Sequence, residues 1–303
     1  VDRREVPLIT IDPAGSRDLD QALAITTAGE GHRVSYAIAD VAALVAPGGP
    51  VDREAHGRGV TIYMPDRRTP LHPPALGEGA ASLLPDADRP AVLWTIDLDG
   101  RGEPVEVHVE RALVRSRRAL SYEEAQEAID GGTADETLGL LREVGLRRME
   151  REGERGGVSL TVPVQEVVRR DGGYDLRYEH TLPVEDWNAQ ISLLTGMAAA
   201  TLMAEAGLGV FRVLEPARER DLEALRRSAR ALGVPWPDGA AYGDVVRSLD
   251  GRRPSHLAFA VRATRLFHGA GYAVWRAADG PAPSHAAIAA RYAHVTAPLR
   301  RLV

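Results

Sequence analysis

Three carboxylates crowd into nine residues near the start of the chain, and any fold it adopts must accommodate them. The run is Thr10-Ile11-Asp12-Pro13-Ala14-Gly15-Ser16-Arg17-Asp18-Leu19-Asp20-Gln21-Ala22-Leu23. Its ends are β-rich and its middle carries Pro-Ala-Gly-Ser turn chemistry, so residues 7–25 read as strand, turn, strand. In an extended stretch, residues two apart share a face. Asp18 and Asp20 then point one way and Leu19 points into the core, while the turn folds Asp12 back beside them. Converging carboxylates repel, so the cluster is costly unless a cation neutralises it. Magnesium suits the task, because it takes hard oxygen ligands, keeps waters and shares phosphate oxygens with a substrate. The competing reading is a solvated turn whose Asp side chains hydrogen-bond their own backbone.

The rest of the chain supplies strands first and helices later. Residues 34–41 read as a strand after a hairpin at Gly29 and Gly31. Residues 91–98 and 105–114 read as antiparallel strands around Asp99-Gly100-Arg101-Gly102. A short helix is expected over 51–59. Ser121 followed by Glu123 and Glu124 marks another helix start. Helical spacing continues over 137–151, 184–206, 221–232, 255–267 and 284–291, with a return to strand over 158–168. That order predicts an α+β domain, a mixed or antiparallel sheet flanked by helices, rather than alternating βαβ units.

Composition narrows the function classes. The chain has 303 residues and 44% hydrophobic content, within the range of globular domains. It has no cysteine, which excludes disulfides and thiolate metal sites. No apolar run approaches the ~18 residues of a membrane span, and a cytoplasmic location is expected. The formal charge of −6 runs against the basic balance usual in nucleic-acid binders. Every cationic side chain is Arg, a residue suited to bidentate phosphate contacts, although a compositional bias explains the chain-wide pattern equally well. With no initiator Met, and an end straight after an Arg pair, the chain reads as a fragment of one domain spanning 1–303.

The acidic run resembles the signature of the RNase II / RNB family, in which Ile-Asp-Pro leads to Arg-Asp-x-Asp-Asp-Ala. The resemblance continues through Tyr36-Ala37-Ile38-Ala39-Asp40-Val41 and Val51-Asp52-Arg53-Glu54-Ala55. Further blocks are Tyr63-Met64-Pro65-Asp66-Arg67, Pro70-Leu71-His72-Pro73, Phe211-Arg212-Val213 and Tyr292-Ala293-His294-Val295-Thr296-Ala297-Pro298-Leu299-Arg300-Arg301. It implies the RNB-type catalytic fold and a Mg²⁺-dependent hydrolytic 3′→5′ exoribonuclease. Single-stranded RNA would be degraded to nucleoside 5′-monophosphates, with no organic cofactor and no membrane.

By the same resemblance, Asp12, Asp18, Asp20 and Gln21 make up the metal set. Asp20, Asp18 and Arg300 are catalytic. Tyr63 stacks on bases, Arg300 holds the scissile phosphate, and Arg67, Tyr292 and Thr296 lie in the substrate-binding blocks. Two positions depart from the pattern. Gln21 replaces the family's fourth Asp, and Ile191-Ser192-Leu193 stands where the family has Ile-Glu-Glu. Both motivate an alternative: an RNB-like RNA-binding protein with lost or weakened nuclease activity. Asp40 is open between supporting the metal site and capping a helix. His72 is expected to be structural, and the four Trp residues are assigned to the core.

Overall fold

The computed structural model describes residues 1–302 apart from Thr161, Pro163 and His180. Two compact units divide the chain: Val1–Met149 with Leu182–Ala198 and His294–Val303, and Glu150–Thr181 with Ala199–Ala293.

The first unit is built on a six-stranded mixed sheet. Its strands are β1 (Ile9–Asp12), β2 (Gln21–Ala28), β3 (Gly31–Ala39), β6 (Asp88–Leu98), β7 (Pro104–Arg115) and β8 (Arg118–Ser121). A small hairpin, β4 (Ile62–Tyr63) with β5 (Arg68–Thr69), lies outside the sheet. The order is β7-β6-β3-β2-β1-β8, antiparallel except where β1 runs parallel to β8. The expected glycine hairpin joins β2 to β3, where Gly29 adopts φ 58°. Alternation sorts the two faces. One carries small residues (Ala22, Ala24, Ala37, Ala39, Ala91) that pack with Leu8, Leu19, Leu83 and Leu299. The other carries Leu23, Ile25, Val34, Tyr36, Ile38, Trp94 and Ile96, all buried.

Helices α1 (Pro50–Arg58), α2 (Tyr122–Asp130), α3 (Glu136–Arg155) and α4 (Pro183–Glu205) accompany the sheet. The helix start at Ser121 is a full capping box: its side chain accepts from Glu124 N–H while Glu124 reaches back to the Ser121 N–H. Helix α4 approaches α3 at Gly145, where a Cβ would lie 2.4 Å from Trp187 Cβ. Only glycine fits there, and the contact sets where the next turns of α4 place Asn188 and Ser192.

The second unit holds the hairpin β9 (Val164–Arg170) with β10 (Gly173–Glu179) and the pair β11 (Leu208–Val213) with β12 (Gly271–Arg276). Helices α5 (Glu219–Leu232), α6 (Tyr242–Arg247) and α7 (Pro254–Ala263) enclose Leu225, Ala229, Val245, Val246 and Phe259.

Two expectations need correction here. Residues 284–291 are not a helix. Ala286 N–H donates to Leu214 C=O, His285 N–H donates to Ala290 C=O, and Ala289 takes φ 53°, so the backbone is committed to bridges and a left-handed turn. The strand expected over 158–168 begins only at Val164, because Val158 N–H is drawn instead to Ala287 C=O; Thr161 and Pro163 lie outside the described residues.

Gly145→Ala is expected to destabilise the protein by about 1–3 kcal/mol, since the added methyl overpacks the helix crossing against Trp187. Urea unfolding measures it, and a variant as stable as the parent would refute the packing argument.

Candidate active site

The acidic run is organised from its one buried apolar residue outward. Leu19 is pinned on both sides of its peptide: its N–H donates to Ser82 Oγ at 3.0 Å, and its C=O accepts from Leu83 N–H at 3.0 Å. Ser82 Oγ donates in turn to Arg17 C=O at 2.6 Å. With Leu19 held in the core, its neighbours Asp18 and Asp20 are fixed in direction. Both lie in the link before β2 rather than in the strand itself. Asp12 ends β1 and lies in register with Ser121, the cap of α2.

Asp20 is fully buried, with 0% exposure. Its Oδ1 accepts from the Leu299 N–H at 2.7 Å, and its Oδ2 accepts from Arg300 Nε at 2.6 Å. Asp18 accepts from Arg68 Nη1 at 2.9 Å, and the same guanidinium reaches Glu78 at 2.7 Å. Arg68 was not singled out from the sequence. Its only local signal is alternation in the hairpin, where it pairs with Tyr63.

The electrostatics follow from burial. Burial pushes Asp12 up to about 6; Arg300 opposes the shift, while Asp20 and Asp18 add to it. Asp20 also rises to about 6 through burial, against the opposing pull of Arg300 and the Leu299 N–H. Burial alone would lower Arg300, but the carboxylate of Asp20 outweighs it and the guanidinium is held above its ordinary value. Tyr122 is pushed up to about 12 by burial and by the charge of Asp12.

The four residues expected to hold the metal differ in their surroundings. Gln21 turns its amide into the protein: its oxygen accepts from Tyr36 Oη and its nitrogen donates to Thr296 C=O. Among the described residues, no three Asp, Glu or His side chains converge into a preformed metal cage. The cations that meet the carboxylates directly are Arg68 and Arg300. The donor chemistry nevertheless fits a divalent ion, because Asp12 and Asp20 are hard oxygen donors whose raised values reflect negative charge out of water.

The other expected site residues fall into three groups. Thr296 is bonded to Gln21 and, through Oγ1, to Ser192 at 2.7 Å. Tyr63 is 60% exposed on β4. Two residues earlier, Thr61 N–H donates to Arg300 C=O at 2.9 Å, so the β4 segment is bonded to the arginine's backbone. Arg67 is exposed in the turn between β4 and β5, closed by Met64 N–H donating to Arg67 C=O. Tyr292 belongs to the second unit, where it is buried with an edge contact to His285 and accepts from Arg212 N–H. Asp40 caps the short helical turn that follows β3 and pairs with Arg111 at 2.6 Å. His72 Nε2 meets Pro298 C=O at 3.1 Å, a structural position as expected.

Fold and site together define an α+β domain with an acidic centre tied to arginine. The RNB domain model matches residues 1–303, and the chain belongs to that family. It is similar to ribonuclease R of Vibrio parahaemolyticus, 28% identical over 325 residues that cover 99% of this chain and 37% of that enzyme. Among solved structures it is similar to Mycoplasma genitalium RNase R in complex with ribose-methylated single-stranded RNA. That match has TM-score 0.87, 21% identity, and covers 99% of this chain and 48% of the other. It is also similar to yeast Ssd1, a pseudonuclease, with TM-score 0.74, 17% identity, and coverage of 97% and 37%. The chain thus spans less than half the length of each of these relatives.

Because the folded value of Asp12 stands above the ordinary 3.8, its carboxyl supports folding at low pH and opposes it once pH rises through about 6. Asp12→Asn is expected to be more stable than the parent at pH 8 by on the order of 2 kcal/mol. The gap should narrow at pH 5. Urea unfolding at both pH values, with chelator present, tests this; a gap that ignores pH rules it out.

Proposed function

We propose that the chain is the catalytic core of a hydrolytic 3′→5′ exoribonuclease that shortens single-stranded RNA and releases nucleoside 5′-monophosphates. The observation that carries this reading is the tie between buried Asp20 and Arg300, in a chain that belongs to the RNB family. Arg300 commits Nε to Asp20. Its two terminal nitrogens carry four more N–H donors, a set that matches phosphate oxygens. Asp20 sets the angle of the guanidinium, and the aromatic face of Tyr63 suits base stacking, a contact any base can make.

Magnesium is the cation this reading assigns to Asp12, Asp18 and Asp20. Bound there, it would polarise the phosphodiester and lower the pKa of an attacking water. The chain's own residues supply the rest. Asp12 and Asp20 hold negative charge in a poorly hydrated pocket, and Arg300 answers charge developing on the phosphate. A protein of this activity works where RNA turns over, and the cytoplasm is the location that goes with it.

A specific observation favours a second reading, an RNB-like RNA-binding protein with weakened cleavage. Gln21 brings no charge where the family pattern has an Asp, and its amide faces Tyr36 and Thr296. The likeness to a pseudonuclease fold is compatible with it.

The test is incubation with 5′-labelled single-stranded RNA and Mg²⁺, followed by separation of products. Stepwise shortening with mononucleotide release is expected, and Asp20→Asn should slow it at least ~100-fold. RNA retention without shortening selects the second reading. Separately, Mg²⁺ is expected to raise the melting temperature of the parent and not of an Asp12→Asn, Asp18→Asn double variant; an equal rise in both removes the metal from these residues.

A further inference from the structure

The two positions at which this chain departs from the family pattern are in one hydrogen-bonded ring. Tyr36 Oη donates its single proton to Gln21 Oε1. Ser192 bears on the same hydroxyl, easing the upward push that burial exerts on Tyr36. Ser192 Oγ and Thr296 Oγ1 are hydrogen-bonded at 2.7 Å, and either hydroxyl can be the donor. Gln21 Nε2 then donates to Thr296 C=O and closes the circuit. Gln21 uses both ends of its amide in the circuit, and linked hydrogen bonds of this kind strengthen one another. Tyr36 is fully buried, so the ring is shielded from water at its centre.

An acidic residue at position 21 could not close this ring. A carboxylate has no proton to give, so Thr296 C=O would lose its donor and face another acceptor. Gln21 and Ser192 are therefore matched to each other through Tyr36 and Thr296.

The ring ends four residues before Arg300. From Thr296 the chain makes a tight turn, with Arg300 N–H on Ala297 C=O at 3.1 Å and Arg301 N–H on the same carbonyl at 3.0 Å. Leu299 and Arg300 then meet Asp20. Adjacent residues of β2's leading edge thus grip both ends of one short segment: Gln21 holds Thr296, and Asp20 holds Leu299 and Arg300. The ring is neutral. A further carboxylate here would compete with a phosphate for Arg300, whereas the ring fixes the segment without drawing on that charge.

We propose that Gln21, Tyr36, Ser192 and Thr296 act as positioning residues, a closed neutral ring that holds Arg300 at the angle from which it meets the RNA phosphate. This rests on the nuclease reading above and deepens it. Gln21 is then a strut and not a ligand, and Ser192 replaces an acidic side chain with a hydroxyl that the ring requires.

The test is a set of variants of the whole chain: Gln21→Glu, Tyr36→Phe, Ser192→Ala, Ser192→Thr and Arg300→Ala. Gln21→Glu and Ser192→Ala should each lower kcat about 10–100-fold, the scale of a misplaced catalytic group. RNA affinity should change less than about threefold, because stacking and other phosphate contacts persist. Ser192→Thr keeps the hydroxyl and should keep the rate. In the Arg300→Ala background, Gln21→Glu and Tyr36→Phe should cost little more, since their effect passes through Arg300. Full additivity with Arg300→Ala, or parent rates in both Gln21→Glu and Ser192→Ala, overturns the proposal. If the parent binds RNA without shortening it, the nuclease reading fails. The ring is then judged by the same cycle, read as the salt dependence of RNA affinity: non-additivity with Arg300→Ala upholds it and additivity overturns it. A parent that neither binds nor cleaves RNA overturns both.

Discussion

A carboxylate with no exposure has to be answered, and in this protein the answer to Asp20 comes from 280 residues away. An uncompensated buried charge costs several kcal/mol, more than most single interactions supply. Leu299 N–H and Arg300 Nε satisfy both oxygens of Asp20, so the late segment of the chain is drawn to the leading edge of β2. Arg300 C=O then takes the N–H of Thr61, which carries the β4 hairpin and Tyr63 to the same place. One ion pair therefore gathers three segments that are remote in sequence.

The rest of the acidic cluster shows why such a site is poised and not merely stable. Burial and mutual repulsion raise Asp12 and Asp20 to about 6, so both carboxylates are held under tension at neutral pH. Arg68 relieves Asp18 and Arg300 relieves Asp20, while among the described residues it is the field of Arg300 that offsets the neighbours of Asp12. A charged centre of this kind favours any ligand that brings positive charge, and its arginines favour a ligand that brings negative charge. A phosphodiester accompanied by a divalent cation brings both.

Much of the framework was legible in the sequence. The strands β2, β3, β6 and β7 follow from alternation between glycine-rich hairpins, and the start of α2 follows from Ser121 with Glu124. The burial of Leu19 between two aspartates followed from two-residue periodicity. The failures share one cause. Residues 284–291 have helical composition, but their amides are engaged by Leu214 and by a turn at Ala289. The strand expected from Val158 begins only at Val164, because Val158 N–H goes to Ala287 C=O. In each case a long-range partner outcompeted a local preference.

By itself the sequence determined the acidic run, the turn that bends it, the strand pattern behind it and the family to which these belong. Each of those is a property of neighbouring residues or of spacing, and spacing is written along the chain. Only the tertiary structure decided that Arg68 pairs with Asp18, that Arg300 pairs with Asp20, and that Gln21 and Ser192 share a ring with Tyr36 and Thr296. Those partners are separated by as many as 280 residues and repeat at no period. What selects them is the cost of leaving a buried charge or carbonyl unpaired, and that cost arises only once the chain has closed around it.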